Sequence, residues 1–483
     1  MENITQMLLK RYDDLAAEKQ ILENIYKDIA TYIRPQRLDG WHKNPQKGNN
    51  LYDSTAVVAA DQLAACLWSF LCNGASRWFK LKNADIEGET LQQIEDDIYQ
   101  NFDQYGFYAA THELFRDLVS FGNGYFVSDS NASGFSFKAL HPMECVFACD
   151  NKGAVAEVFR LIRQKENGQE KTLIHCVIKN NATLSQITAL PWVSVIIDQS
   201  NGNIMRQGGY QHLPYNILRF SSSTGSPYGE SPAMLALADI KMLNMMVKTN
   251  LMAAQKQIDP PLLAADELSA QGIRTHPGAI VYGGLDGISN KRLIEPLNIG
   301  GSVGLGLEME EQRRKAIKEA FYYQITSTLS QPRSATEVVI DTEDRLRLIY
   351  PLISRIFAEF IRPLLKHITS RIVADKYPDL QNMHFDFESL SPLALAQKQQ
   401  SANKLVKSLQ ALAPLFAVDN RLKGHIDALV ILKELASGWG LPHGAITDEP
   451  ADIAANPSLD IGAIINQLPQ LLKGAENAQS PMD

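Results

Sequence analysis

The chain has 483 residues, 45% of them hydrophobic and 21% charged, with a formal net charge of −8. That balance excludes wholesale disorder, and the length suffices for more than one folding unit. The acidic balance excludes a protein built to grip nucleic acid on a basic surface, although an acidic wall is compatible with surrounding DNA and letting it slide.

Residues 4–33 carry Leu8, Tyr12, Leu15, Leu22, Ile25, Ile29 and Ile33 at helical spacing, and Pro35 ends the run. After a polar loop, residues 55–72 read as an apolar helix. Trp78-Phe79-Lys80-Leu81 reads as a short strand, and residues 90–121 as an aromatic-rich helix ending at the turn Gly122-Asn123-Gly124. From Tyr125 to Phe220 the period changes to two. Strands are predicted at 125–127, 135–137, 155–162, 172–178, 192–197 and 217–220, with turns at Asp150–Gly153, Glu166–Gly168 and Ser200–Gly202. This is a small antiparallel β unit packed on helices.

A long helix follows over 231–258, about 40 Å long at 1.5 Å per residue, and Pro260-Pro261 stops it. Met234, Leu237, Ile240, Leu243, Met245, Met246 and Leu251 surround most of its circumference, so it needs neighbours on nearly all sides. Its lysines, Lys241, Lys248 and Lys256, fall roughly on one face; they are a solvated face or a basic stripe facing a lumen. A second, highly charged helix spans about 306–325. Glu310–Arg314 and Glu311–Lys315 are spaced as i,i+4 pairs worth about 0.2–0.5 kcal/mol each. The polar stretch Thr326 to Arg333 then leads to a capping box, Ser334 with Glu337, that opens a third helix running past Arg362. Pro351 and Pro363 are expected to kink or interrupt it. Beyond Pro392 the chain reads as helical to Ala436, with a break at 438–444 and one short apolar helix near 461–472.

No zinc-protease, P-loop or nucleophile-elbow pattern occurs. Gly304-Leu305-Gly306 is a fragment of a dinucleotide fingerprint, without the preceding strand or the third glycine. Ser401-Ala402-Asn403-Lys404 matches S-x-x-K without its partner motifs. His112 reads as a packed or surface helix residue. Cys66 and Cys72 read as buried free thiols, and Cys145 and Cys149 lack the partner spacing of a zinc site; with Cys176 the cysteines are odd in number. The opening residues show no secretory signal, and the longest apolar run, Leu63 to Cys72, is about half of the ~20 residues that cross a bilayer. The expectation is a soluble, non-enzymatic, cofactor-free and metal-free α+β protein, helix-dominated, from a reducing compartment.

A series of short motifs carries a resemblance. It comprises Tyr32-Ile33-Arg34-Pro35, Leu51-Tyr52-Asp53-Ser54, Trp78 to Leu81 and Phe121-Gly122-Asn123-Gly124. It continues with Tyr228-Gly229-Glu230-Ser231-Pro232, Asp239 to Asn244, Pro260-Pro261-Leu262, Ala335 to Val338 and Glu359 to Pro363. In order and spacing, over roughly residues 5–400, the series resembles the head-to-tail connector (portal) proteins of short-tailed bacteriophages. The resemblance implies a homo-oligomeric ring, usually of twelve, at one capsid vertex of the virion, assembled in the host cytoplasm. Double-stranded DNA passes non-specifically through its channel during packaging and ejection. The implied partners are the terminase large subunit, a tail adaptor, and capsid and scaffolding proteins, with no membrane. Residues 1–225 and 336–390 would form a wing, with stem helices at 226–258 and 306–327. Residues 259–305 would form a clip, 328–335 a tunnel loop and 391–483 a crown. The implied contacts are Ser327, Thr328, Ser330, Gln331 and Arg333 of the tunnel loop with DNA, Lys241, Lys248 and Lys256 on the channel side of the stem, and Arg274, Lys291 and Arg292 of the clip with a partner. A head–tail adaptor or scaffold-binding protein without a channel is the alternative.

Overall fold

The computed structural model describes residues 2–40, 51–264, 292–297, 303–323, 348–390, 401–411 and 428–438, apart from single positions and short turns within those ranges. The chain divides into two compact units, Met1–Ser389 and Leu390–Asp483. The described part is helix-dominated with small antiparallel sheets, an α+β arrangement.

In the first unit α1 (Glu2–Tyr32) lays one stripe on a sheet. That sheet has five strands in the order β4-β5-β6-β7-β8: Cys145–Cys149, Val155–Glu166, Gln169–Lys179, Trp192–Asp198 and Ile204–Tyr210. Ile4, Leu8 and Leu15 pack on Val146, Phe159, Ile174, Cys176, Val193 and Val195. Cys145, Phe147, Val158 and Val177, one residue out of step, face the other way and meet Tyr125, Val127, Tyr215, Ile217 and Tyr228. Both faces of these strands are therefore covered, which is why they read as nearly continuous apolar runs.

The second layer is a three-stranded sheet ordered β3-β2-β9, from Gly134–Leu140, Asn123–Asn131 and Tyr215–Arg219. Behind it lie α2 (Thr55–Leu71), α3 (Gly88–Gln104) and α4 (Phe107–Phe121). The single helix expected over 90–121 is two, because Gly106 takes a left-handed φ of +70°. At this break the rings of Phe102 and Phe107 stack 3.9 Å apart, and Trp78 stacks on both. The expected strand at Trp78–Leu81 is β1 (Phe79–Lys82), paired antiparallel with β12 (Asp386–Ser389). β4 and β8 are additional to the predicted strands.

Three buried polar devices tie the layers. Lys19, 4% exposed, donates to the carbonyl oxygens of Pro142 and Cys145 and sits over the rings of Tyr26, Tyr125 and Tyr228 at 5.2–5.9 Å. Burial lowers its pKa to about 8. Arg34 and Arg37, at the end of α1, both reach Glu113 and Asp117 on α4. Burial raises Asp117 to about 6 against the pull of the two guanidiniums. His175 is bridged by Tyr215 Oη at 2.6 Å and Ser194 Oγ at 2.9 Å.

The helix containing Pro351 and Pro363 is helical over 348–356, widens to one π turn at Phe357–Ile361 and resumes as α7 (Arg362–Lys376) once those helices not yet described are counted, α5 and α6. Pro363 has no N–H for the carbonyl of residue 359 and its ring crowds that carbonyl; the N–H of Arg362 reaches back five residues to Phe357 instead. The proline thus widens the helix without interrupting it. The expected helix start at Ser334 and Glu337 lies outside the described residues. All five cysteines are free, with Cys72, Cys145 and Cys176 buried. Among the described residues no helix is long and apolar enough to cross a membrane. In the second unit the described elements are helical, at 401–409 and Ala428–Gly438 (α8); the expected helix near 461–472 lies outside them.

Burial depresses His141, His175 and His367 to about 4, from an ordinary value of 6.5. The unfolded chain therefore takes up protons between about 6.5 and 4 that the folded chain refuses, and stability falls as pH drops through that window. Asp117 and Glu95, both raised by burial, act in the opposite sense, but are fewer. The expected outcome is a melting temperature that falls steadily from pH 7 to 4.5, with a shallower slope for His175→Gln. A flat or rising profile would contradict this accounting.

Candidate functional site

The conspicuous feature of the first unit is a hairpin of two long helices, α5 (Pro232–Ile258) and α6 (Val303–Ala320). Between them a short antiparallel ladder pairs β10 (Leu262–Ala264) with β11 (Ile294–Pro296). The root of α5 is wired into the core. Ser231 Oγ accepts the N–H of Met234 at 3.0 Å, an N-cap, and donates to the Ser120 carbonyl at 2.7 Å; Pro232 occupies the first turn. Just before it, Gly229 crosses Gly122. A Cβ on Gly122 would lie 2.3 Å from the Gly229 carbonyl oxygen, and Gly122 holds a φ of +76°. Only glycine satisfies both demands. Asn123 closes the crossing, accepting the Gly229 N–H at 2.9 Å while donating to Tyr26 Oη at 3.1 Å.

Midway along the hairpin lies a polar knot. Glu310, 3% exposed, accepts from Asn250 Nδ2 at 2.6 Å and from Arg314 at 2.9 Å; Arg314 also reaches Asp53 at 3.2 Å. Arg313 pairs with Asp239 at 2.9 Å, and Asn244 Oδ1 accepts the N–H of Tyr52 at 2.7 Å. A carboxylate with a guanidinium and an amide can be buried because each lone pair it turns inward has a donor. Gly306 permits the approach: a Cβ there would stand 2.6 Å from the Asn250 side chain. The Gly304–Gly306 pair therefore serves helix contact. Of the two expected i,i+4 pairs, Glu310–Arg314 forms, while Glu311 lies 3.8 Å from Arg314, whose fork reaches both acids.

Lys241 pairs with Asp28 of α1 at 2.5 Å, and Lys248 stands over the Tyr52 ring at 5.5 Å. Both are thus engaged by their own chain, whereas Lys256 is exposed near the far end of α5. Arg292 is exposed beside β11. Arg274, Lys291 and the loop residues Ser327, Thr328, Ser330, Gln331 and Arg333 lie outside the described residues. His112 rests edge-on against Trp68 at 5.7 Å, its pKa lowered first by burial and then by Arg116. Ser401 and Lys404 are exposed on a helix in the second unit. The residues that sequence reasoning missed are Asn250, Asp53 and Ser120. A lone Asn opposite a helical glycine was the available signal.

Beyond the knot the hairpin is apolar and uncovered. Leu235 is 74% exposed, Met245 61%, Leu251 50%, Met252 52% and Ile258 85%; on α6, Leu307 and Met309 are also exposed. This defines an architectural class, a layered base bearing a helical hairpin with apolar side chains left open.

Comparison with known proteins gives the class its place. The profile described as "Bacteriophage head to tail connecting protein" matches residues 5–165 and 160–446. A Bordetella phage BPP-1 protein described as "Probable portal protein" is 24% identical over 463 residues, covering 84% of this chain and 83% of that one. The "Portal protein" of Salmonella phage epsilon15 is 22% identical over 464 residues, covering 84% and 82%. Among solved structures, a chain from the neck of a native GTA particle computed with C12 symmetry is 14% identical and covers 80% of this chain and 90% of that one. Its TM-score of 0.40 is too low to carry any argument. The chain belongs to the bacteriophage head-to-tail connecting protein family.

Gly306→Ala is expected to force α5 and α6 apart, lowering the urea midpoint by the equivalent of about 1–3 kcal/mol. Asn250→Ala in the same chain should recover part of that loss. Equal losses in the single and double variants would show that the glycine is not there for Asn250.

Proposed function

We propose that the chain is a portal subunit that assembles side by side with copies of itself into a ring at one capsid vertex and conducts double-stranded DNA. The observation that carries this reading is the open apolar surface of the α5–α6 hairpin. A helix with Leu235, Met245, Leu251 and Ile258 uncovered needs neighbours that its own described residues do not provide. Burying one such side chain contributes about 1.5–3 kcal/mol, so a few per subunit suffice to drive association. A head-to-tail contact repeated by rotation closes into a ring. The family match and the two portal relatives point the same way.

In this reading residues 1–225 and 336–390 are the wing, 226–258 and 306–327 the stem, 259–305 the clip, 328–335 the tunnel loop and 391–483 the crown. Copies that each carry −8 make an acidic ring, which repels phosphate on the whole and lets a duplex move. Lys256 and Arg333 are sparse cations against that background, while Lys241 and Lys248 act within the subunit. The short neutral side chains of Ser327, Thr328, Ser330 and Gln331 suit transient contact with DNA. Arg274, Lys291 and Arg292 of the clip face the terminase large subunit and afterwards the tail adaptor. The role is structural, with chemistry supplied by the packaging motor.

Two measurements test this. Native mass and axial electron-microscope images of the purified chain should show a closed ring with a central hole, and Met245→Glu with Leu251→Glu should leave monomers with an intact fold. Deleting Ser327 to Gln331 should leave rings assembled while DNA packaging or retention drops. A chain that stays monomeric at every concentration would overturn the ring, and loss of ring assembly on the deletion would overturn the placement of the loop.

A further inference from the structure

A second feature has no part in the ring reading. A cleft of about 1080 Å³ opens between β9, the turn before β5, helix α7 and β12, and none of its lining residues belongs to the α5–α6 hairpin. One wall is a sheet edge. In the order β3-β2-β9, strand β9 has a partner on one side only.

The register shows which backbone groups that edge presents. Asn216 and Leu218 oppose Phe126 and Gly124. Flanking bonds run from the Ser128 N–H to the Pro214 carbonyl and from the Phe220 N–H to the Gly122 carbonyl, each 2.9 Å. In an antiparallel ladder alternate residues turn their backbone groups inward. The even-numbered residues of β9 therefore bond β2, and Tyr215, Ile217 and Arg219 turn theirs outward. Arg219 bears this out: its N–H donates to Glu359 Oε2 at 2.9 Å. Tyr215 and Ile217 line the cleft, and among the described residues their outward backbone groups make no backbone hydrogen bond. Beside them Asn216, only 2% exposed, lines the same cleft with its side-chain Nδ2 unpartnered. A buried donor without an acceptor costs free energy until something supplies one.

The charges in the cleft are unbalanced. Glu359 is taken by Arg219 at 2.6 Å. Asp386 lies 3.6 Å from His384. Arg362 and Lys366 on α7 and Lys152 before β5 are exposed and have no carboxylate partner among the described residues. On a chain of net charge −8 this is a locally basic groove. Trp192, Leu213 and Phe385 give it an apolar lining.

We propose that this cleft receives an extended acidic segment of a partner protein, added to β9 as a further antiparallel or parallel strand. The outward N–H and C=O groups of Tyr215 and Ile217 supply the main-chain pairing, Asn216 supplies one more donor, and Arg362, Lys366 and Lys152 meet its carboxylates. Main-chain bonds give such a strand affinity, and the pockets and charges give it selectivity.

The test uses the full chain and a fluorescein-labelled hexapeptide of alternating valine and glutamate, read by fluorescence anisotropy. Binding should weaken by about tenfold or more, 1.4 kcal/mol or above, when alternate amides of the peptide are N-methylated or when lysine replaces glutamate. Ile217→Pro removes only an outward N–H and should have the same effect. Arg362→Glu combined with Lys366→Glu, two exposed positions, gives a second reading should the proline variant not fold. Absence of binding overturns the proposal, as does binding that ignores N-methylation. If a single-stranded oligonucleotide displaces the peptide and N-methylation has no effect, the groove is an anion site only. If the variants instead change the mass of the assembled particle and no peptide binds, the edge is a contact between copies, and the proposal falls while the ring stands.

Discussion

The hairpin is held in place by a contact between two backbones. Gly122 and Gly229 approach so closely that neither tolerates a side chain, and the hydrogen bonds of Asn123 and Ser231 lock the crossing from either side. Because α5 starts two residues after this crossing, its direction is inherited from the core. A long helix pivoting on a loose loop would spread over many orientations. One that begins inside a close-packed junction transmits the position of the layers beneath it to its far end. Lys19 and its three tyrosines secure the same junction from the other side, joining α1, the five-stranded sheet and Tyr228.

Along the hairpin, polar and apolar contacts divide the labour. The knot of Glu310, Asn250, Arg314 and Asp53 is directional, so it sets the register of α6 on α5 and the distance of both from α2. The methionines beyond it are not directional. Unbranched and polarisable, they can adapt to a neighbour that shifts slightly. A subunit needs both properties if it must hold its own shape and yet meet copies of itself under load.

Much of this was legible in the chain. The motifs that carried the family resemblance turn out to touch one another: Tyr52 meets Asn244, Asn123 meets Gly229, Arg34 meets Glu113, and Arg219 meets Glu359. Short motifs far apart in sequence, each weak alone, were the two halves of single contacts. The limits of α5 followed from Ser231-Pro232 and Pro260-Pro261, which are stop and start signals with a mechanism. Strand β4 was not legible because Cys145 to Cys149 follows Pro142 with no turn residue to mark it off, and β8 was hidden by Gly208 and Gly209, which weaken any strand pattern. The break at Gly106 was missed because the aromatic periodicity continues across it. The candidate site was legible only as a pair of helices. Which lysines of α5 are occupied within the subunit depends on α1 and the loop before α2, and no spacing rule within α5 reports that.

The π turn at Phe357–Ile361 has a bearing on how this region can vary. A widened turn holds one residue more than the regular spiral needs, so it behaves as a built-in slack in the phase of the helix. Removing one residue there would restore the ordinary pitch and rotate everything downstream by about 100°. Arg362 and Lys366 would then leave the groove, while Leu364, Leu365 and Ile368 would be turned out of the core. The segment tolerates exchange of side chains but has no freedom in length, and insertions or deletions among relatives should avoid it.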